Sequence, residues 1–403
     1  MRVCIDREAL GTPESLFVSS DGTCEWGADG APGGDAHLHS REPRPVPFEH
    51  LAQMAGLDPS RLELAPAEQF RAFAALGVEP DRVAWAAALG RRRLSRRLQE
   101  VVRAIQEVAC DTELVRYGKT YGAGQEFLRG LQRPLIDRPL LERRLQEQGD
   151  TGAGGSLATF APDREGLAPP VSYSRVATST GRLTVERGPR ILTLAREHRE
   201  VIQSAQGGSV LEVDFVSLEP RLALLESGAT PPRDIYSALG SELGLTLPRA
   251  ALKGAVISAL YGSSASSLAE ALGGRARARD LVERVGERFG VRELVSRLRA
   301  GIAERGRLHN RYGRPLLEAR ATDPDPRLVS HYVQSSAVDV ALLGFFQLCS
   351  RVAHLGIRPI YVIHDAVLLD VPKGAEEALR KECEAGVRLD LGHFELGVKR
   401  VTE

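Results

Sequence analysis

The feature that most constrains this 403-residue chain is a set of apolar β-type runs, each carrying a carboxylate at its end. Ser209 to Phe215 reads as a buried strand with Asp214 near its close. Ile360 to Ile363 and Val367 to Val371 are two further apolar runs separated by His364-Asp365-Ala366, the pattern of a hairpin with a carboxylate at its tip. Runs this apolar belong in the middle of a sheet, and an ionised Asp in that setting needs a partner to offset its lost hydration. Either Asp alone is most simply the cap of a turn. Two of them, 151 positions apart, can converge on adjacent strands and hold a pair of Mg²⁺ ions for in-line phosphoryl transfer.

Beyond Asp214, Ser217 is placed to N-cap a helix running from Leu218 to about Ser227. Pro220 then falls in its first turn, where a missing N–H is tolerated. Residues 248 to 262 form a second helical segment ending in Tyr261-Gly262. Along it Arg249, Lys253, Ile257 and Tyr261 recur every four residues, and each step drifts by about 40°, so the four share one broad face about 18 Å long. Arg249 and Lys253, one turn apart, can both reach a triphosphate, with Tyr261 at the far end near a base. Helices carry Arg-x-x-x-Lys routinely as solvated charge, but this chain uses Lys sparingly. Only Lys119, Lys253, Lys373, Lys381 and Lys399 stand among 53 basic residues, so the isolated Lys253 marks a position where Arg does not serve.

Strands and helices out of regular alternation indicate an α+β fold. The 53 basic and 53 acidic residues cancel, which argues against a nucleic-acid partner until the charge is counted by region. Residues 1–90 carry a net −7 and residues 91–145 a net +6. Within the basic region Leu94, Leu98, Val101, Ile105 and Val108 fall at helical spacing, with arginines on the other faces, which suits either a solvated helix or one facing phosphates. A helix from Arg138 to Gln148 and a glycine-rich link (Gly152, Gly154, Gly155) follow. Residues 1–45, rich in Gly, Pro, Asp and Ser, read as irregular after a short apolar opening. Small helices are expected between Phe48 and Leu89.

No uninterrupted apolar stretch approaches the roughly 18–20 residues of a membrane span, and no N-terminal signal is evident. The expectation is a cytoplasmic protein of a bacterial or phage-infected cell, with no membrane partner. Cys4, Cys24, Cys110, Cys349 and Cys383 form no Cys-x-x-Cys pair, so neither a disulfide framework nor a structural zinc site is indicated. Cys24, His37, His39 and His50 fit no strong zinc spacing either, and His198, His309, His331, His354 and His393 read as structural or surface residues.

The segment Asp214-Phe215-Val216-Ser217-Leu218-Glu219-Pro220-Arg221 resembles motif A of the family A (DNA polymerase I-like) DNA polymerases. Arg249 to Gly262 resembles motif B, Arg-xxx-Lys followed by Tyr-Gly, and Tyr361 to Leu369 resembles motif C, the hairpin with His-Asp-Glu. Thr180-Gly181-Arg182-Leu183, Asp234-Ile235-Tyr236, Gly313-Arg314 and Gln334-Ser335-Ser336-Ala337-Val338-Asp339 add matches in the family's order, from about 175 to 371.

The resemblance implies a right-hand polymerase: an antiparallel palm sheet with helical fingers and thumb. It implies that Asp214 and Asp365 ligate two Mg²⁺ ions, for which Mn²⁺ is a possible substitute, with the Val216 carbonyl as a further ligand. Glu219 becomes the steric gate against a 2′-hydroxyl. Arg249 and Lys253 bind the triphosphate, with Lys253 also protonating pyrophosphate, a role closed to the permanently charged Arg. Ile257 and Tyr261 line the nucleotide. Arg182, Gln334, His364, Arg221 and Arg314 are the implied DNA contacts, the first two in the minor groove, where acceptors are nearly sequence-independent. Expected partners are primer-template DNA and dNTPs, bound by a monomer; a protein partner at the N-terminal segment is left open.

Three positions depart from the family pattern. Ala366 stands where motif C has Glu, Ile257 where motif B has Phe or Tyr, and Ser330 where an Asn is usual. They point to a divergent branch. Asp6-Arg7-Glu8 resembles the opening of a proofreading exonuclease, but the length before the basic helix is short for such a domain, so no proofreading is expected. The expected divisions are an extension of unknown role at 1–89, thumb at 90–164, palm at 165–230 and 311–403, and fingers at 231–310. Two alternatives remain: a single-subunit RNA polymerase-like enzyme, and a catalytically degenerate polymerase fold that binds nucleic acid.

Overall fold

The computed structural model describes the chain apart from residues 29–34, 41–43, 64–66, 80–82, 149–151 and 402–403. It divides into two compact units: residues 1–126 with 309–317, and residues 127–308 with 318–403. The expected division at 89/90 does not coincide with this one. The basic helix, Trp85–Ala109, belongs to the first unit because its apolar stripe packs there on the N-terminal sheet.

That sheet is a correction to the irregular segment expected over residues 1–45. Strands β1 (Arg2–Ile5), β2 (Ser15–Ser19), β3 (Cys24–Gly27) and β4 (Ala36–Leu38) pair in the order β3-β2-β1-β4. β4 runs parallel to β1, and the other pairs are antiparallel. Val3, Ile5 and Val18 are fully buried, as period-two alternation requires, but strands of three to five residues between Gly, Asp and Pro leave little sequence signal. Val101, Ala104, Ile105 and Val108 of the basic helix are buried, while Arg91, Arg92, Arg93 and Arg96 are exposed. Gly90 breaks the helix with a left-handed φ of 64°.

In the second unit, four antiparallel strands pair in the order Arg358–Ile363, Ala366–Val371, Ser209–Phe215, Leu396–Arg400. The expected palm sheet and hairpin are therefore present, with Ser209–Phe215 at an interior position. The long helix Asp325–Val352 packs in the same unit, Phe345 lying with its ring centroid 5.1 Å from that of Phe215. The approach requires glycine at 344, where a Cβ would come within 2.6 Å of the Phe215 ring. Arg175 and Asp339, both 1% exposed, form a buried ion pair at 2.5 Å that fastens this helix. By length and a mean hydropathy of 1.3, Asp325–Leu355 could cross a membrane, but 56% of its most apolar window is buried in the protein, as for a core helix.

The helix Arg249–Leu260 buries Leu252, Ala255, Val256, Ala259 and Leu260, a stripe of i, i+3, i+4, i+7 and i+8 positions. The stripe packs on the helices Ile235–Glu242 and Arg275–Arg288 and leaves Arg249, Lys253 and Ile257 on the other side. The glycine-rich stretch read as a link begins a short helix, Gly152–Ala158.

Candidate active site

Two sharp turns aim the carboxylates. Asp214 lies on the strand Ser209–Phe215, and Asp365 in the hairpin turn beside it, its carbonyl accepting a hydrogen bond from the Phe215 N–H at 3.1 Å. Ser217 (φ 56°) and His364 (φ 55°) are left-handed, a conformation rare outside glycine that lets the chain turn abruptly after each strand. This corrects the capping role expected of Ser217. The helix does start at Leu218, but Ser217 makes no side-chain cap hydrogen bond. In the neighbouring strand Gly397 pairs with Asp214, and a Cβ there would lie 2.8 Å from Asp214 Oδ1, so glycine makes room for the carboxylate.

The two Asp residues open on a cleft of about 420 Å³. Six more of the anticipated residues line it: Arg182, Glu219, Lys253, Ile257, Gln334 and His364. Tyr261 stands beside them, its hydroxyl donating to Glu219 at 2.5 Å, and Arg182 pairs with the same carboxylate at 3.1 Å. Burial, then the Glu219 charge, push the Tyr261 phenol well above its ordinary value, so it stays protonated and donates. Arg249 is turned to Asp234, paired at 2.8 Å, with its guanidinium 5.3 Å from the centroid of Tyr236. Asp234 also caps the helix Ile235–Glu242.

Arg221 and Arg314 do not line the cleft. Arg221 is 2% exposed, its guanidinium donating to the carbonyls of Val216, Pro232 and Arg233, so it braces the Val216 carbonyl rather than meeting solvent. Arg314 is buried in the first unit, within 3.4 Å of the Tyr117 hydroxyl.

Burial raises the Asp365 pKa, and the like charges of Asp214 and Glu219 add to it, while its own backbone N–H and Lys253 oppose the rise. Two carboxylates in one cleft, Asp214 on a strand and Asp365 in the neighbouring hairpin turn, the latter pushed toward its neutral form by burial and then by the charge of Asp214, are a donor set that suits divalent cations. No family model matches the sequence. The chain is 27% identical to the thermostable DNA polymerase I of Thermus thermophilus over 68% of its own length and 37% of the relative's, so it spans a little over a third of that protein. Its fold is similar to that of the POL domain of Pol1 from M. smegmatis, solved in complex with DNA primer-template and dNTP. The TM-score is 0.55 over 98% of this chain and 94% of that one, at 15% identity. In sequence and in fold the chain is thus similar to DNA polymerase I-like proteins.

Two residues at the cleft escaped the sequence reading. Lys399, in the strand beside Asp214, places Nζ 3.2 Å from Asp214 Oδ2 and 2.7 Å from Glu212 Oε1. Burial opposes its charge, but these two carboxylates outweigh burial and hold its pKa above the ordinary value. Its rarity as one of five lysines was the available signal. Tyr236 lines the same cleft as Ser217 and Lys253, and in the sequence it stood only as the last residue of an Asp-Ile-His-like match.

Proposed function

We propose that the chain is a template-directed DNA polymerase that adds deoxynucleotides to a primer 3′-hydroxyl by two-metal phosphoryl transfer, without proofreading. The observation that carries this reading is the gathering of Asp214, Asp365, Lys253, Glu219, Arg182 and Gln334 around one cleft, from segments spread over residues 182–365. Asp214 and Asp365 hold two Mg²⁺ ions, replaceable by Mn²⁺, with the Val216 carbonyl as an added ligand. When bound, such ions neutralise charge on the transferring phosphoryl group and ease ionisation of the attacking hydroxyl.

Lys253 faces the triphosphate and gives a proton to the departing pyrophosphate. Arg249 exchanges Asp234 for the same triphosphate, and Ile257 packs on the nucleotide. Glu219 closes the space a 2′-hydroxyl would occupy, and Tyr261, hydrogen-bonded to it, fixes that wall. Arg182 and Gln334 read minor-groove acceptors and His364 meets the primer backbone, so primer-template DNA and dNTPs are the partners. Residues 231–310 act as fingers, 90–164 as thumb, and 165–230 with 311–403 as palm. The absence of proofreading is supported by Asp6 and Glu8: the former is held by Cys4 and His37, while the latter is exposed on a one-turn helix. The protein works as a cytoplasmic monomer.

A second reading, a degenerate site that binds nucleic acid without catalysis, rests on one observation. Ala366, which replaces the motif C Glu, pairs with Asp214, and Lys399 has placed a cation against that same Asp. Primer extension with dNTPs and rNTPs in parallel separates the readings. Extension with dNTPs is expected. Preference for rNTPs indicates the RNA polymerase-like alternative, and no extension by the folded protein that still binds primer-template indicates the degenerate one.

A further inference from the structure

The first unit contains a polar cluster that the polymerase reading does not use. β4 runs parallel to β1 with Cys4 opposite His37 in register. Residues paired across strands share a face, as do alternate residues along one strand, so Cys4, His37 and Asp6 project together while Val3 and Ile5 enter the apolar core. Cys4 is 4% exposed, and the Asp6 and His37 side chains are 15% and 16% exposed. The ligating atoms of all three lie within 4.8 Å of one another.

Two edges of this triangle have the size a metal demands. Cys4 Sγ is 3.4 Å, and His37 Nδ1 3.3 Å, from the same oxygen, Asp6 Oδ1. Tetrahedral zinc, with Zn–S of about 2.3 Å and Zn–N or Zn–O of about 2.0–2.1 Å, has an S···O edge of about 3.5 Å and an N···O edge of about 3.3 Å. We propose that Cys4, Asp6 and His37 form a binding site for a zinc-class divalent cation that ties β4 to β1.

A sulfur, an imidazole nitrogen and one carboxylate select zinc over Mg²⁺, whose hard ion takes oxygen ligands. Three protein ligands leave the fourth corner to water. Without the ion, the hydrogens between Cys4, His37 and Asp6 Oδ1 hold the three side chains at this spacing. Burial, then Asp6, push the Cys4 thiol up to about 12, so ion binding displaces its proton. The Cys-x-x-Cys rule overlooks such a site because its spacing is set by strand register.

The test is a Co²⁺ titration of the full chain after EDTA treatment and desalting. The expected result is one equivalent bound, with a thiolate-to-cobalt charge-transfer absorption that Cys4→Ser abolishes and Cys24→Ser leaves intact. His37→Ala should weaken binding by about tenfold or more. Zinc-edge X-ray absorption on the unaltered protein asks the same question without any variant having to fold, and a shell of one sulfur among nitrogen and oxygen is expected. A shell without sulfur, no retained zinc, or a cobalt band that survives Cys4→Ser would overturn the proposal.

Discussion

Asp365 in the palm and Asp6 in the N-terminal sheet each follow closely on a buried strand, and burial pushes the pKa of both upward. Asp365 then meets Asp214 and Glu219, which push further the same way. Asp6 meets His37, Ser40 and Cys4, whose hydrogen bonds outweigh its burial and hold it at about 2. A third carboxylate, Asp339, has a complete partner in Arg175. The palm pair is thus short of positive charge, whereas the Asp6 carboxylate is matched by hydrogen-bond donors. Around Asp6, protons already occupy the space where a cation would sit.

The largest expected effect is at the palm pair. Asp214→Asn or Asp365→Asn should lower primer extension by on the order of a thousandfold or more, the equivalent of roughly 4 kcal/mol of lost transition-state stabilisation. Stability should move the other way for Asp365. Its folded pKa lies above the unfolded one, so the folded state favours the neutral acid and loses stability as pH rises between the two values. In EDTA at neutral pH, Asp365→Asn should therefore raise the melting temperature, while in Mg²⁺ it abolishes extension. A variant that falls in both would mean that Asp365 already has its charge partner within the protein.

These two carboxylates were legible because each interrupts an apolar run, and the Arg249–Lys253 face was legible because helical period alone separates it from the buried stripe through Leu252, Val256 and Leu260. The rest depended on pairing that sequence does not encode locally. Lys399 reaches Asp214 only because two strands 185 positions apart are neighbours. Cys4 and His37 meet through parallel register across a segment whose Gly, Asp and Pro content reads as loop. Ser217 satisfies every rule for an N-cap, yet the turn out of the Asp214 strand forces it into a left-handed conformation that takes its hydroxyl out of capping position. Arg221 was expected to contact DNA, but its i+5 relation to Val216 lets it fold back on that carbonyl.

Asp339 provides the next test, since its charge is fully matched inside the core. Arg175→Met or Asp339→Asn, each leaving one partner buried, should lower stability by about 3–5 kcal/mol in chemical denaturation. Loss of less than about 1 kcal/mol would mean that the pair is reached by water and that the long helix is held by its apolar contacts, Phe345 on Phe215 above all. A smaller loss, about 1–3 kcal/mol, is expected for Asp6→Asn in metal-free protein, because the carboxylate's hydrogen bonds to His37, Ser40 and Cys4 are weakened together. The sign of its pH dependence is opposite to that of Asp365. The Asp6 contribution is complete above the ordinary carboxylate range, near 3.8, and disappears as pH falls through about 2.

The smallest effect probes the cation that the palm does supply. Lys399 sits 3.2 Å from Asp214, in the strand beside it, and Ala366 on the other side carries no charge, so both neighbours leave the local balance toward positive. Lys399→Met takes away one favourable charge at a partly exposed pair, where solvent screening keeps the interaction modest. The Mg²⁺ concentration that half-saturates extension at fixed pH should therefore fall by less than about tenfold. Ala366→Glu places a further negative charge opposite Asp214 and should lower the Mg²⁺ requirement too, and Lys399→Met with Ala366→Glu should lower it further than either alone. A Mg²⁺ requirement that stays fixed in all three variants would show that the palm carboxylates do not feel these neighbours, and would count against the cation-site reading of the palm.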